Sequence, residues 1–235
     1  MTDKQEIRER VWDHLEAEGY ARFPFPPHGR IPNFEDADAA AERAMALPEL
    51  AEADAVKANP DSPQLPLRRT LLEQGTTVYM AVPRLAEERC FVELDPAEVA
   101  DIEAAPTVSH MDEYGRQVAP EAVPELDAIV VGSVAVTDDG ARIGKGEGYS
   151  DLEYAILREL GLVDDETTVV TTVHDSQIVD DEVDVGRHDV PMDVVCTPSR
   201  TIRTDAAPEK PAGIFWEDVD DERIEEIPVL DGLRE

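Results

Sequence analysis

An apolar run, Leu126-Asp127-Ala128-Ile129-Val130-Val131-Gly132-Ser133-Val134-Ala135-Val136, is followed by Arg142-Ile143-Gly144-Lys145-Gly146-Glu147-Gly148-Tyr149-Ser150-Asp151 and then by a helical stretch over 152–160. A strand, a turn with glycine at every second position and a helix start constrain this chain more than any other feature. Alternate glycines let the backbone approach a ligand closely and turn N–H groups inward, while the helix that follows adds a partial positive end. Arg142 and Lys145 supply full charges, and Asp151 offers a carboxylate that could share a phosphate-bound Mg²⁺. Residues 144–149 are therefore read as a cradle for the phosphates of a nucleotide. The spacing is neither the Walker pattern, which requires Gly-Lys-Ser/Thr, nor the usual dinucleotide fingerprint. Glycines so spaced also serve tight turns that bind nothing.

The rest of the chain supplies a scaffold for such a turn. Short apolar segments at 53–58, 78–82, 128–136, 168–173 and 194–197 read as buried strands of a mostly parallel sheet. A helix over 4–18 is predicted by Ile7, Val11, Trp12 and Leu15 at helical spacing and by Gly19 as a stop; its basic face carries Lys4 and Arg8. A second, alanine-rich helix is predicted over 37–47. Between them, 23–34 holds four prolines and reads as an ordered loop, and the acidic stretch 180–189 reads as a loop or hairpin arm. The expectation is a single α/β domain with a mainly parallel sheet flanked by helices over 1–205, and an acidic, proline-containing tail over 206–235 in which Ile214-Phe215-Trp216 is a candidate anchor. Lys57 falls at the end of a predicted strand, where ligands of parallel sheets bind, so it is either a substrate or phosphate contact or a plain surface lysine.

Charge narrows the setting. The formal net charge is −33, and lysine occurs only at Lys4, Lys57, Lys145 and Lys210, so arginine carries most of the positive charge. Self-repulsion of this size is relieved by screening, which points to a cytoplasm of high salt. It argues against a nucleic-acid partner, which needs basic patches. No apolar run reaches the length of a membrane span and the first residues lack an apolar signal centre, so a cytoplasmic location is expected. A monomer is expected as well. Cys90 and Cys196 cannot form a disulfide framework, and Cys196 reads as core. The five histidines, His14, His28, His110, His174 and His188, lack metal-ligand spacing; His174 lines a cleft or makes a turn, and His188 orients a loop.

The segment from Arg142 to Asp151 is similar to the Arg-Leu-Gly-x-Gly-x-Gly-Tyr-Tyr-Asp signature of the 5-formyltetrahydrofolate cyclo-ligase (methenyltetrahydrofolate synthetase) family. Residues 127–136 resemble that family's Asp-Leu-Val-Ile-Val-Pro strand, Gln177-Ile178-Val179 with His188-Asp189-Val190-Pro191-Met192-Asp193 resemble its closing segment, and Lys4 with Arg8 resemble its Lys-x-x-x-Arg pair. Arg22-Phe23-Pro24, Arg30-Ile31-Pro32-Asn33-Phe34 and Asn59-Pro60-Asp61 resemble the longer branch called methenyltetrahydrofolate synthetase domain-containing proteins. The resemblance implies a NagB/RpiA/CoA-transferase-like fold, ATP and Mg²⁺, and ATP-dependent cyclisation of 5-formyltetrahydrofolate to 5,10-methenyltetrahydrofolate with release of ADP and phosphate. It implies that Lys4 and Arg8 cap the triphosphate, that Arg142 and Lys145 neutralise charge during transfer, and that Gly144, Gly146 and Gly148 give backbone donors. In the same reading Tyr149 closes the pocket, Asp151 holds Mg²⁺, and Gln64 falls near where the family places a folate-contacting glutamate.

The chain departs from the pattern at Gly132 for proline, Ser150 for tyrosine and Leu152 for arginine, and it carries Glu147 inside the cradle. Two other readings stay open on these residues: a non-catalytic nucleotide- or pterin-binding regulator on the same scaffold, and an RNA-binding accessory protein.

Overall fold

The computed structural model describes residues 2–204 and 209–234. The boundary expected at 205/206 lies outside the described residues. In chain order the elements are α1 (Lys4–Ala17), β1 (Ala21–Arg22), β2 (Asn33–Phe34), α2 (Ala37–Met45), α3 (Pro48–Ala51), β3 (Ala55–Ala58), α4 (Leu65–Gln74), β4 (Thr77–Ala81), β5 (Phe91–Leu94), α5 (Met111–Tyr114) and β6 (Arg116–Val118). They continue with β7 (Ala128–Val131), β8 (Ala135–Thr137), β9 (Arg142–Ile143), α6 (Tyr149–Glu159), β10 (Thr168–Thr172), β11 (Ile178–Val179), β12 (Val194–Cys196), β13 (Thr201–Arg203), α7 (Asp221–Glu226) and α8 (Pro228–Leu233).

Strands β3, β7 and β12 are buried at every position, as expected of strands covered on both faces. They lie in an eight-stranded sheet of order β13-β12-β10-β7-β3-β4-β5-β6. Its centre, β12-β10-β7-β3-β4, is parallel, and antiparallel strands close both edges. From β3 the chain crosses through α4 to β4, while from β7 it crosses in the opposite direction through α6 to β10. The crevice between β3 and β7 is thus a topological switch point, where open α/β sheets bind ligands at the strand C-termini.

A second, three-stranded sheet, β11-β8-β9, supports α1. Ile7, Val11, Trp12 and Leu15 of α1 pack with Ala21, Ile31, Val134, Ala135, Ile143 and Val179 in a core separate from that of the main sheet. Asp3 caps α1 by accepting N–H bonds from Gln5 and Glu6. This satellite core fixes the first helix beside the turn that leaves β9.

The single strand expected over 128–136 is two strands. β7 ends at Val131, the chain leaves the main sheet at Gly132, and β8 starts at Ala135 in the small sheet. Side chains replace the missing sheet partners: Arg142 donates to the Gly132 carbonyl at 3.1 Å, and Gln177 Nε2 donates to the carbonyls of Ser133 and Val134 at 3.2 and 3.0 Å. The proline-rich loop is closed at its base by the short pairing of β1, just before it, with β2 at its end, and β5, β6 and β13 extend the sheet beyond the strands read from the sequence.

Beyond residue 208 the chain returns to the main core. Ile214, Ile227, Val229 and Leu230 are buried in it, and Trp216 packs against it. Phe215 lies beneath the Arg187 guanidinium, 4.4 Å from its ring centroid. Cys90 and Cys196 are both buried thiols. Among the described residues no helix is long and apolar enough to cross a membrane.

Candidate nucleotide site

A cavity of about 540 Å³ opens at the switch point. Its floor is formed by the chain just past three parallel strands: Asn59, Pro60 and Asp61 after β3, Val82, Pro83 and Arg84 after β4, and Gly132 after β7. Its opposite wall is the glycine turn, and Lys4 and Arg8 of α1 close one side. Most of the site residues expected from the sequence line this one space: Lys4, Arg8, Arg142, Gly144, Lys145, Gly146, Gly148, Tyr149 and Asp151.

The turn has the backbone its sequence demands. Gly146 and Gly148 have φ of 102° and 72°, the left-handed region that favours glycine, and Gly148 is the N-cap of α6. The first N–H groups of α6 have no side-chain cap, and Tyr149, Ser150 and Asp151 of its first turn line the cavity. Arg8 lies against Gly146 and donates from Nε to the Gly144 carbonyl at 2.6 Å. Its own pKa is lowered by burial and by the neighbouring Arg142, against the raising influence of Asp3 and Asp189.

Arg142 is buried and donates to Asp151 Oδ1 at 2.6 Å as well as to the Gly132 carbonyl. Burial is the largest single influence and disfavours its charge, but Asp151, with Asp189 and Glu153, outweighs that and raises its pKa above the ordinary arginine value. Lys4 pairs with Asp189 at 2.5 Å, and Asp189 also accepts the Gly186 N–H. Among the described residues Lys145 pairs only with its exposed neighbour Glu147, at 2.7 Å, so water competes for both partners and the lysine can turn to a phosphate at small cost.

Asp151 Oδ1 is shared between Arg142 and the Val190 N–H. Among the described residues no three metal-ligating side chains converge. That donor set fits a Mg²⁺ held mainly by phosphates and water with one or two carboxylates, and does not fit a dedicated protein cage.

Two expected contacts lie elsewhere. Lys57 is 1% exposed and forms a buried ion pair with Glu153 of α6 and a hydrogen bond to Asn59; Glu153 and Asn59 border the cavity, with the lysine behind them. It is neither a surface lysine nor a lining residue, because its side chain leaves β3 toward α6. Gln64 is fully buried at the start of α4 and donates to the Thr172 hydroxyl and carbonyl at 3.1 and 3.3 Å, away from the cavity. Its Oε1 has no hydrogen-bond partner among the described residues.

In place of Gln64 the cavity receives Asp61, which the sequence reading missed. Arg68, itself buried with its pKa lowered to about 9 by desolvation, donates to the carbonyls of Asn59, Pro60, Asp61 and Pro106 and fixes the loop that carries it. No donor among the described residues is bonded to the Asp61 carboxylate. Its side chain keeps some exposure to the cavity, yet protein encloses it enough that burial raises its pKa, against the lowering influence of Lys145 and Arg68. Gly132 makes room for it: a Cβ there would stand 2.9 Å from Asp61 Oδ2 and 2.8 Å from Ile31. The signal available in the sequence was position, since Asp61 is three residues past the end of a parallel strand.

The histidines divide. His174 is half-buried, stacks on Tyr20 at 4.4 Å and bonds Ser176, with its pKa lowered chiefly by burial. It makes a turn outside the cavity. His188 borders the cavity next to Asp189.

The model of the 5-formyltetrahydrofolate cyclo-ligase family matches residues 1–198. The chain belongs to that family. It is 41% identical to a methenyltetrahydrofolate synthase domain-containing protein of Bos taurus over 98% of this chain and 62% of that one, and 43% identical to its Mus musculus counterpart over 99% and 63%. It thus spans about three fifths of the length of these relatives. A 5-formyltetrahydrofolate cyclo-ligase of Mycolicibacterium smegmatis is 32% identical over 57% of this chain and 66% of its own. The family fold is also that of the solved Aquifex aeolicus 5,10-methenyltetrahydrofolate synthetase, with a TM-score of 0.52 at 20% identity over 88% of this chain and 95% of that one.

Proposed function

We propose that this family member is an ATP-dependent ligase that cyclises 5-formyltetrahydrofolate to 5,10-methenyltetrahydrofolate, releasing ADP and phosphate, and that it works in a cytoplasm of high salt. The observation that carries the reading is the convergence of Arg8, Arg142 and Lys145 with an uncapped helix start on a left-handed glycine turn at the sheet's switch point. In a chain of net charge −33, Lys4 and Lys145, two of its four lysines, border this one cavity.

The reaction needs little from the protein beyond position and charge. The formyl oxygen is a poor leaving group until it accepts the γ-phosphoryl group of ATP; the second amine of the same folate then attacks the formyl carbon, and phosphate departs with that oxygen. Lys4 and Arg8 hold the triphosphate from α1, and the turn and the start of α6 give N–H donors to its oxygens. Arg142, fixed by Asp151, and the mobile charge of Lys145 offset the charge that develops on the transferred group. Asp151 would hold a phosphate-bound Mg²⁺, which would supply further charge neutralisation. Tyr149 covers the nucleotide, and Asp61 faces the folate-side space as an acceptor for N–H groups.

One observation favours the second reading, a non-catalytic nucleotide- or pterin-binding regulator: Gln64 is buried and turned into the core, bonded to Thr172, and does not border the cavity. Mixing the protein in molar salt with Mg-ATP and 5-formyltetrahydrofolate, and following methenyl absorbance with ADP release, separates the two. Coupled formation of both products, reduced in Lys145→Ala and Asp151→Asn, is expected. Nucleotide binding with neither product would replace the ligase reading by the regulator.

A further inference from the structure

The glycine turn is held unequally along its length. Its first half is tied by Arg8 to the Gly144 carbonyl, but residues 145–148 are exposed and α6 starts without a side-chain cap. The second half meets a residue from far along the chain. Arg223 of α7 donates from Nη2 to the Glu147 carbonyl at 2.9 Å, and its guanidinium lies 4.0 Å from the centroid of the Tyr149 ring. Both contacts fall on the stretch where the left-handed Gly148 hands the chain to α6.

Arg223 is itself anchored. Asp220 accepts its N–H at 2.7 Å at the start of α7, and Ile227 and Leu230 just beyond are wholly buried in the main core. Arg187 pins the preceding stretch through Asp218 and Glu217 at 2.7 and 2.9 Å. Among the described residues the one carboxylate paired with the Arg223 guanidinium is Glu226, at 4.0 Å, which leaves the guanidinium free to cover the ring. The segment 209–234 that carries this brace lies past residues 1–198 matched by the family model, while the alignments with the Bos taurus and Mus musculus relatives span nearly the whole chain.

We propose that Arg223 is a positioning residue for the nucleotide: by capping the Glu147 carbonyl and covering the Tyr149 ring, it holds the second half of the turn with its N–H groups already aimed into the cavity. This rests on the nucleotide reading above. A turn ordered before binding loses less freedom when phosphate arrives, so the effect falls on affinity and not on the chemical step. A guanidinium on an aromatic face combined with a charge-assisted hydrogen bond is suited to this, because both hold in the high salt that weakens surface ion pairs.

The test uses the whole chain and compares wild type with Arg223→Ala, Arg223→Lys and Arg223→Gln, with Arg234→Ala as a control for losing one tail charge. Backbone order parameters of the 144–149 amides are read by ¹⁵N relaxation without ligand, and Mg-ATP affinity is read by calorimetry in molar salt. Arg223→Ala is expected to lower the order parameters of the turn from about 0.85 to below about 0.6 and to weaken Mg-ATP binding about five- to tenfold, with KM for ATP raised and kcat nearly unchanged. Lysine and glutamine, which keep a donor and the helix, should each restore part of the effect, and Arg234→Ala none. Unchanged turn order in Arg223→Ala and Arg223→Gln overturns the brace whatever the nucleotide does. A looser turn in a protein whose wild type binds no Mg-ATP instead removes the nucleotide reading, and with it the role assigned to Arg223, while leaving the contact in place.

Discussion

The cavity has two charged faces that differ in what their charges do. On the glycine-turn wall, Lys145 and Glu147 pair in the open and Arg8 bonds a carbonyl, so water or a ligand can take over each contact. Behind the floor, Lys57 and Glu153 pair where neither is more than 8% exposed, and Arg68 spends its donors on four backbone carbonyls. The same residue types therefore serve opposite ends. Exposed pairs add little to stability and are available for binding, whereas a buried pair shapes the strand ends and is costly to break from one side.

Substitutions can break this contrast. The largest effect on stability is expected from Lys57→Ala, which leaves Glu153 buried without its partner and should lower unfolding free energy by about 3–5 kcal/mol in denaturant titrations. Lys145→Ala on the opposite wall should change stability by less than about 1 kcal/mol while weakening Mg-ATP binding; equal destabilisation by the two would dissolve the distinction. Replacing both buried partners, as Lys57→Met with Glu153→Leu, should restore most of what the single change loses.

Gly132→Ala probes the floor by sterics and should cost about 1–3 kcal/mol, because its Cβ would press on Asp61 and Ile31; adding Asp61→Gly should relieve part of it. Gly148→Ala probes the wall, where no atom lies within 4 Å of the added Cβ, so only backbone strain of about 1–2 kcal/mol is expected.

Asp61→Asn should give the subtlest signature, one of pH. Burial raises the folded-state pKa of Asp61, so the native protein binds the proton more tightly than the unfolded chain. Wild-type stability should then fall, relative to the variant, as pH rises from the ordinary aspartate range through the raised value. The two proteins should converge below the ordinary range. Thermal melts across acid pH check this, and curves that stay parallel throughout would contradict it.

The wall was legible in the sequence and the floor was not. Residues 142–151 carry their meaning locally: glycine spacing, two cations and a helix start need no knowledge of distant partners. The destination of Lys57 and Gln64 depends on which face of a strand end each side chain leaves, and a shift of one or two residues moves a group from cavity to core. Asp61 was quoted as part of a motif, yet its accessibility follows from the missing side chain at Gly132, 71 residues on. The break between β7 and β8 was hidden for a different reason. Ala128 to Val131 are buried in the main core and Val134 with Ala135 in the satellite core, so the run stays apolar while the chain changes sheets. Edge strands such as β6, with exposed Arg116, carry too little hydrophobicity to announce themselves.

The scarcity of lysine has a practical consequence for chemical footprinting. Lys57 and Lys210 are 1% and 7% exposed, whereas Lys4 and Lys145 are 29% and 38% exposed, and those two border the cavity. An amine-directed acylating reagent therefore meets, among side-chain amines, two reactive targets set on either side of the same opening. Labelling at those positions, followed by mass spectrometry as ligands are added, reports directly on whether the opening is filled, without a designed probe or an altered residue.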